Sequence, residues 1–374
     1  MVRKIKILHF PIRNTNGGIT RTAIKYWKHI DKSRFQFGFA TCEKVHLDFE
    51  RELIDSGAEV HYISCYAEED ENNFASELGK ILIENRYDAI HLNTSWWRSF
   101  TAEKVAKDLG VKVILVHARS SGIDISDNEK RLFEYERHQQ VKANFCKDMA
   151  TDYVACSKAA AEFLFGAQIP EDKIVILHNA LDIGRFSYSE IKRKMMREQL
   201  NAEKSYVIGN IGRMSYVKNH NFLLECFYEV QMKIPSALLL LVGDGELRKN
   251  IIKQAEKLGI ADKVIFTGKV DNVEDYLQAM DVFAFPTRFE GLGNVLIEAQ
   301  TAGLKCVSSD NVPMETSITD NIKYLPLEKD LWVKELVRLS KQYERKDLGG
   351  RVREAGYDIQ SEIKILENIY LKAL

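Results

Sequence analysis

Two glutamates, Glu290 and Glu298, stand with seven residues between them in the run Phe285-Pro286-Thr287-Arg288-Phe289-Glu290-Gly291-Leu292-Gly293-Asn294-Val295-Leu296-Ile297-Glu298-Ala299. The run reads as a strand, a glycine loop and a helix that opens near Asn294. Backbone N–H groups in the first turn of a helix have no internal partners. Those of Gly291, Leu292, Gly293, Asn294 and Val295 would therefore face whatever lies above the helix, a place suited to an anion such as a phosphate. With a rise of about 1.5 Å per residue, Glu298 lies one turn into the helix and Glu290 just before the loop, so both carboxylates can flank one ligand. Beside a phosphate they would repel it, unless they accept hydrogen bonds from neutral hydroxyls such as those of a sugar or ribose. The plainer alternative is a solvated loop glutamate and a helix glutamate favoured by the dipole.

Positive charge for a phosphate is supplied upstream, in Gly209-Asn210-Ile211-Gly212-Arg213-Met214-Ser215-Tyr216-Val217-Lys218-Asn219-His220. Arg213 and Lys218 sit in the connection after a predicted strand, where open α/β sheets bind ligands. An arginine can grip phosphate oxygens in pairs and a lysine acts as a point charge. Taken singly, both residues are ordinary surface charges. A Gly243-Asp244-Gly245 turn closes the next strand, and Gly268-Lys269-Val270 closes the one after, where backbone groups could meet the edge of a base. The nine histidines and six cysteines show no metal-ligand spacing and no Cys-x-x-Cys pair, so no metal site is expected and the thiols read as reduced and individually buried.

These residues need a scaffold of alternating elements, and the chain supplies it. In the first half, strands are predicted over Ile5–Phe10, Phe35–Thr41, Glu59–Ser64, Asp88–Asn93, Lys112–His117, Tyr153–Ser157 and Ile174–His178. In the second half they recur over Tyr206–Ile211, Ala237–Val242, Lys263–Thr267, Val282–Pro286, Lys305–Ser309 and Ile322–Leu325. Amphipathic stretches lie between them, which argues for parallel sheets flanked by helices. A length of 374 residues suits two such domains. The charged stretch from Asp182 to Lys204 marks the expected boundary, giving domains over 1–182 and 183–374. A helix over 358–374 is expected to pack back toward the N-terminal domain.

A net charge of -1 gives no global attraction for nucleic acid. The longest apolar run, Ala237–Val242, is far too short to span a membrane, and the basic start lacks the apolar core of a signal peptide. The chain therefore reads as cytoplasmic.

Taken together, these residues resemble glycosyltransferase family 4, of GT-B fold, and especially its bacterial exopolysaccharide and capsular polysaccharide branch. The resemblance runs over nearly the whole chain, through Gly17-Gly18, His117, Ala155-Cys156-Ser157, His178-Asn179-Ala180-Leu181-Asp182, Gly212-Arg213 to Lys218, Gly243-Asp244-Gly245, Glu290 and Glu298. It implies two facing Rossmann-like domains with a ligand cleft between them, an N-terminal acceptor side and a C-terminal side for a nucleotide-sugar. It further implies a retaining, metal-independent hexosyltransferase without a cofactor, using a donor of UDP-sugar type and a saccharide or lipid-linked saccharide acceptor in surface polysaccharide synthesis. By the same resemblance Arg213 and Lys218 hold the donor diphosphate, Glu298 the ribose, Glu290 the transferred sugar and Val270 a uracil-type base. Gly17 and Gly18 approach the phosphates, and His117 contacts the transferred sugar. The branch often carries a second histidine or similar polar residue two positions beyond His117, where this chain has Arg119.

Nine of the first 34 residues are Lys or Arg and one, Asp31, is acidic. Arg21, Lys25, Lys28 and Lys32 fall on one face of a helix predicted from Gly18 to Asp31 and its continuation. That stripe suits contact with anionic lipid at the inner face of the cell membrane, although a solvated face is the commoner cause of such a pattern. Trp96 and Trp97 could stack on an acceptor sugar or be buried. Two other readings keep the architecture: a nucleotide-sugar epimerase, and a catalytically silent partner subunit.

Overall fold

The computed structural model describes residues 3–14, 18–341 and 344–374. Gly17, one of the expected donor-binding residues, lies outside them. The chain forms two compact units. One comprises Met1–Ile123, Asn128–Asn179 and Ile359–Leu374, and the other Asp124–Asp127 and Ala180–Asp358.

The first unit is built on a seven-stranded parallel sheet of order β3-β2-β1-β4-β5-β6-β7. Its strands are β1 (Ile5–Phe10), β2 (Phe35–Thr41), β3 (Glu59–Tyr62), β4 (Ala89–Thr94), β5 (Val113–Ala118), β6 (Asp152–Ala155) and β7 (Ile174–Ile176). The second holds a six-stranded parallel sheet of order β10-β9-β8-β11-β12-β13. Its strands are β8 (Tyr206–Ile211), β9 (Ala237–Val242), β10 (Val264–Gly268), β11 (Val282–Phe285), β12 (Lys305–Ser309) and β13 (Ile322–Leu325). Every expected strand is present, because a parallel sheet covered on both faces requires near-continuous apolar runs of the kind that Val113–Ala118 and Ala237–Val242 provide.

Three strands end short of the sequence reading where a side chain or ring takes over a backbone group. β7 stops early because the N–H of His178 donates to Glu362 Oε2 at 2.8 Å. β11 stops before Pro286, which has no N–H to donate. β6 stops short of Ser157, whose hydroxyl instead accepts from Ala160 N and caps the helix Lys158–Leu164.

Each sheet has one point where its strand order reverses, between β1 and β4 in the first unit and between β8 and β11 in the second. Loops diverge there at the carboxyl ends of the strands and leave a crevice. The second unit's core packs Leu223, Phe227, Leu239, Leu241, Trp332 and Leu336 together. The charged stretch after Asp182 contains the helix Glu190–Gln199, which docks on this unit. Arg193 and Arg197 both pair with Asp281, at 2.5 and 3.0 Å. In the first unit the helix Ile359–Tyr370 buries Ile359, Ile363, Leu366, Ile369 and Tyr370, and Phe35 and Phe37 of β2 meet the Tyr370 ring. On the helix Gly18–His29 the apolar side holds Ala23 and Trp27, both buried. Lys28 pairs with Glu52, and Lys32 lies over the Trp27 ring. The thiols are free. Contrary to the expectation that all are buried, Cys146 is exposed and Cys65 half-buried. Among the described residues no helix is long and apolar enough to cross a membrane.

Candidate active site

The second unit gathers its charged loops at the carboxyl edge of β8, β9, β10 and β11. Past β8, the N–H of Gly212 donates to Val242 O at 3.0 Å, so the Arg213 loop begins against the end of β9. Met214 N donates to Asp244 O at 2.9 Å and Leu247 N to Met214 O at 3.0 Å. These bonds tie the Arg213 loop to the Gly243-Asp244-Gly245 turn. Gly243 has φ +134°, and a Cβ there would lie 2.1 Å from Gly212 O. Only glycine allows that approach. Gly243 N also donates to Gly268 O at 3.0 Å, which brings the end of β10 alongside, with half-buried Val270 just beyond it.

Arg213 bonds the carboxylate of Asp124, which also accepts from Ser215 Oγ at 3.2 Å and from Val217 N at 3.3 Å. Lys218 Nζ lies 2.5 Å from Glu290 Oε1 and 4.7 Å from the centre of the Phe285 ring. The Thr287 hydroxyl is 2.8 Å from the same Glu290 oxygen, and Arg288 N donates to Val217 O at 2.8 Å. The connections after β8 and after β11 are thus stitched together across the point of strand reversal, with Lys218 on one and Glu290 on the other.

Beyond Glu290, Gly291, Leu292 and Gly293 are buried, and Gly293 takes φ +90° to start the helix Asn294–Thr301. Asn294 Oδ1 and, at the end of β8, Asn210 Oδ1 are buried acceptors without a partner among the described residues. Glu298 is half-buried on that helix and lies near Arg185. Arg185 is held by Glu274 at 2.7 Å, and its cation is stabilised first by that bond.

In the first unit, Gly18 is exposed at the start of the helix Gly18–His29. His117 is fully buried on β5, with Nδ1 3.0 Å from His91 Nε2 and Nε2 3.0 Å from Arg119 Nη1. Burial, followed by the Arg119 and His9 charges, pushes its pKa well below the usual imidazole value, so the ring is neutral at physiological pH. A neutral ring serves through hydrogen bonds rather than as an acid. Trp97 is buried and donates to Leu164 O, whereas Trp96 donates to Glu134.

The structure thus brings Arg213, Lys218, Glu290 and the loop from Gly291 to Val295 to one edge of one sheet, and His117 to the end of β5. Sequence reasoning did not single out Asp124, Thr287 or Asn210. Asp124 lies in an irregular loop with no periodicity to read, and Thr287 acquires meaning only once it faces Glu290. Among the described residues, no three His, Cys, Asp or Glu side chains cluster in a way that could hold a metal ion.

Residues 191–348 match the family model described as Glycosyl transferases group 1. EpsF of Bacillus subtilis (strain 168), which bears a glycosyltransferase's name, is 26% identical over 374 residues, covering 98% of this chain and 96% of EpsF. The capsular polysaccharide biosynthesis glycosyltransferase CapH of Staphylococcus aureus is 22% identical, covering 98% and 99%. Among solved structures, Anabaena Alr3699/HepE in complex with UDP and glucose superposes with a TM-score of 0.77 at 18% identity, over 100% of both chains. With its two parallel-sheet units the chain has the GT-B fold, and over residues 191–348, which carry the charged switch-point loops, it is similar to the group 1 glycosyltransferases.

Proposed function

We propose that this glycosyltransferase is a retaining, metal-independent hexosyltransferase that moves a sugar from a UDP-sugar to a saccharide or lipid-linked saccharide acceptor in surface polysaccharide synthesis. The observation that carries the reading is the convergence of Arg213, Lys218, the Glu290 loop and the start of the helix Asn294–Thr301 at the β8/β11 reversal. Support for the donor comes from the HepE complexes with UDP and with UDP-glucose. Support for the acceptor comes from the Escherichia coli relative named as a galactosyltransferase acting on GlcNAc-diphosphoundecaprenol.

In this reading the diphosphate takes the place of the Asp124 carboxylate on Arg213 and shares Lys218 with Glu290. Glu290 and Glu298 accept from hydroxyls of the sugar and ribose, and backbone groups near Val270 meet the base. His117 meets the transferred sugar. As the glycosidic bond to the phosphate oxygen breaks, negative charge grows on that oxygen, where Lys218, Arg213 and the helix N–H groups stabilise it. The acceptor hydroxyl attacks from the same face and its proton passes to the departing phosphate oxygen.

A thermal-shift screen with UDP, UDP-glucose, UDP-galactose, UDP-N-acetylglucosamine and UDP-N-acetylgalactosamine tests the reading. A ligand at about 100 times its Kd stabilises by about 2.7 kcal/mol and raises the melting temperature accordingly. Absence of any rise with all five compounds overturns the UDP-sugar assignment. NMR of the product anomer and turnover in the presence of EDTA check retention and metal independence.

A further inference from the structure

Five buried or half-buried polar groups of the first unit stand in one hydrogen-bonded row: Arg119, His117, His91, Tyr370 and His9. The sheet register creates it. His9 of β1 pairs with His91 of β4, and His117 of β5 pairs with Asn93, two residues past His91, so the three imidazoles lie on one face of the sheet. Tyr370, at the end of the helix Ile359–Tyr370, closes the row from above. His117 Nδ1 lies 3.0 Å from His91 Nε2, His91 Nδ1 lies 2.7 Å from Tyr370 Oη, and Tyr370 Oη lies 3.2 Å from His9 Nε2. All three imidazoles and the tyrosine ring are fully buried.

A neutral imidazole has one N–H and one lone pair, so the proton on each ring dictates the next. Arg119 sets the direction, because a guanidinium only donates. Its Nη1 sits 3.0 Å from His117 Nε2 and 3.5 Å from Nδ1, so the lone pair belongs at Nε2 and the proton at Nδ1. His117 then donates to His91, His91 donates from Nδ1 to Tyr370, and the tyrosine hydroxyl donates to His9 Nε2. That order leaves the His9 Nδ1 proton at the closed end, and this nitrogen has no partner among the described residues. The same C-terminal helix reaches Arg119 by a second route. Glu362 holds the backbone and ring of His178, and the adjacent Asn179 accepts from Arg119 Nη1 at 3.0 Å.

We propose that Tyr370 and His91 are positioning residues that, together with Arg119 at the other end of the row, hold His117 in its Nδ1–H tautomer, with Nε2 as the acceptor. The effect on catalysis rests on the reading that His117 meets the transferred sugar; the tautomer itself does not. A sugar hydroxyl can then meet Nε2 only as a donor that displaces Arg119 Nη1 from the same lone pair, which orients the sugar. Partners that fix the ring of a metal-ligating histidine cost about 10- to 100-fold in activity or metal affinity when removed, and the lower end of that range is expected here.

The experiment is long-range nitrogen–proton NMR on the uniformly 15N-labelled full chain, with His117 assigned by comparison with His117→Gln. The parent is expected to show a protonated Nδ1 and an unprotonated Nε2 on His117; the reverse overturns the proposal without any variant. In Tyr370→Phe, with folding checked by its melting curve, the His117 signals are expected to move to a mixture of tautomers. Turnover, measured as UDP released from whichever of the four UDP-sugars stabilises the parent, should fall about tenfold, while UDP binding by calorimetry stays within twofold. Unchanged His117 signals in Tyr370→Phe overturn the proposal whatever turnover does, and leave the transferase reading intact. A changed tautomer with parental turnover instead removes His117 from the reaction and the positioning role with it.

Discussion

Lys218 Nζ and Glu290 Oε1 lie 2.5 Å apart, a lysine from the connection after β8 held by an acid from the connection after β11. Each side chain is largely shielded from solvent, so the two behave as one unit. In the proposed reaction the lysine stabilises charge on the departing phosphate while the glutamate holds both lysine and sugar. Removing one donor aimed at such charge typically costs roughly 3 kcal/mol. Lys218→Ala and Arg213→Ala are each expected to lower kcat by on the order of 100-fold or more. The double variant Lys218→Ala/Glu290→Gln should lose much less than the product of the two single losses, because contacting residues do not add. Parental rates in the purified single variants would remove these residues from the mechanism.

Asp124 competes with a phosphate for Arg213, since its carboxylate occupies the guanidinium and accepts from Ser215 and Val217. Pairs with an exposed partner are worth roughly 0.2 to 1 kcal/mol. Asp124→Ala is therefore expected to tighten UDP binding by up to about fivefold, a difference readable by calorimetry. Weaker binding in the variant would mean that Asp124 builds the loop rather than competing for it.

Gly243 couples fold to site more directly. Its φ of +134° and the 2.1 Å approach of a would-be Cβ to Gly212 O mean that Gly243→Ala must push the Arg213 loop away from β9. Gly259 also has positive φ, +71°, but a Cβ there meets nothing within 4 Å. Gly259→Ala should cost about 1 kcal/mol of backbone strain and leave UDP affinity unchanged. Gly243→Ala should cost more than about 2 kcal/mol in urea unfolding and also weaken UDP binding. Equal costs at the two sites would show that the close approach is not maintained in solution.

The elements were legible because burial on both faces of a parallel sheet writes itself into a strand as an unbroken apolar run. Arg213, Lys218 and the Glu290 loop were legible because each follows such a run in a glycine-bearing connection. What stayed hidden depends on pairing across the chain. Asp124 and Arg213 are 89 residues apart, and His91 and Tyr370 are 279 apart. A histidine in the middle of an apolar strand gives no sign that two others will line up beside it, since that follows from strand order and register. Asp124 carries no local signature at all, and Tyr370 reads only as part of the apolar stripe of its helix.

Buried neutral histidines make the fold sensitive to acid. Burial, with Arg119 nearby, holds His9 at about 3, and burial, with Lys218 nearby, holds His220 at about 3; His91 and His117 are also lowered. The unfolded chain takes up protons at these rings as pH falls below about 6.5 while the folded chain does not, so stability falls with pH through that window. At about 1.4 kcal/mol per pH unit, His9 and His220 each cost about 2 kcal/mol between pH 6.5 and 5. Glu103 works in the opposite sense. Burial raises it to about 7, so its contribution is complete below the ordinary carboxylate pKa and is lost as pH rises through 7. It returns about 2 kcal/mol over the same acid window. Urea unfolding at pH 6.5 and 5 should therefore show a net loss of at least about 2 kcal/mol in the parent. In Glu103→Gln, which cannot take up that proton, the loss should be steeper by about 2 kcal/mol. A parent equally stable at both pH values would mean that the imidazoles reach water and titrate normally.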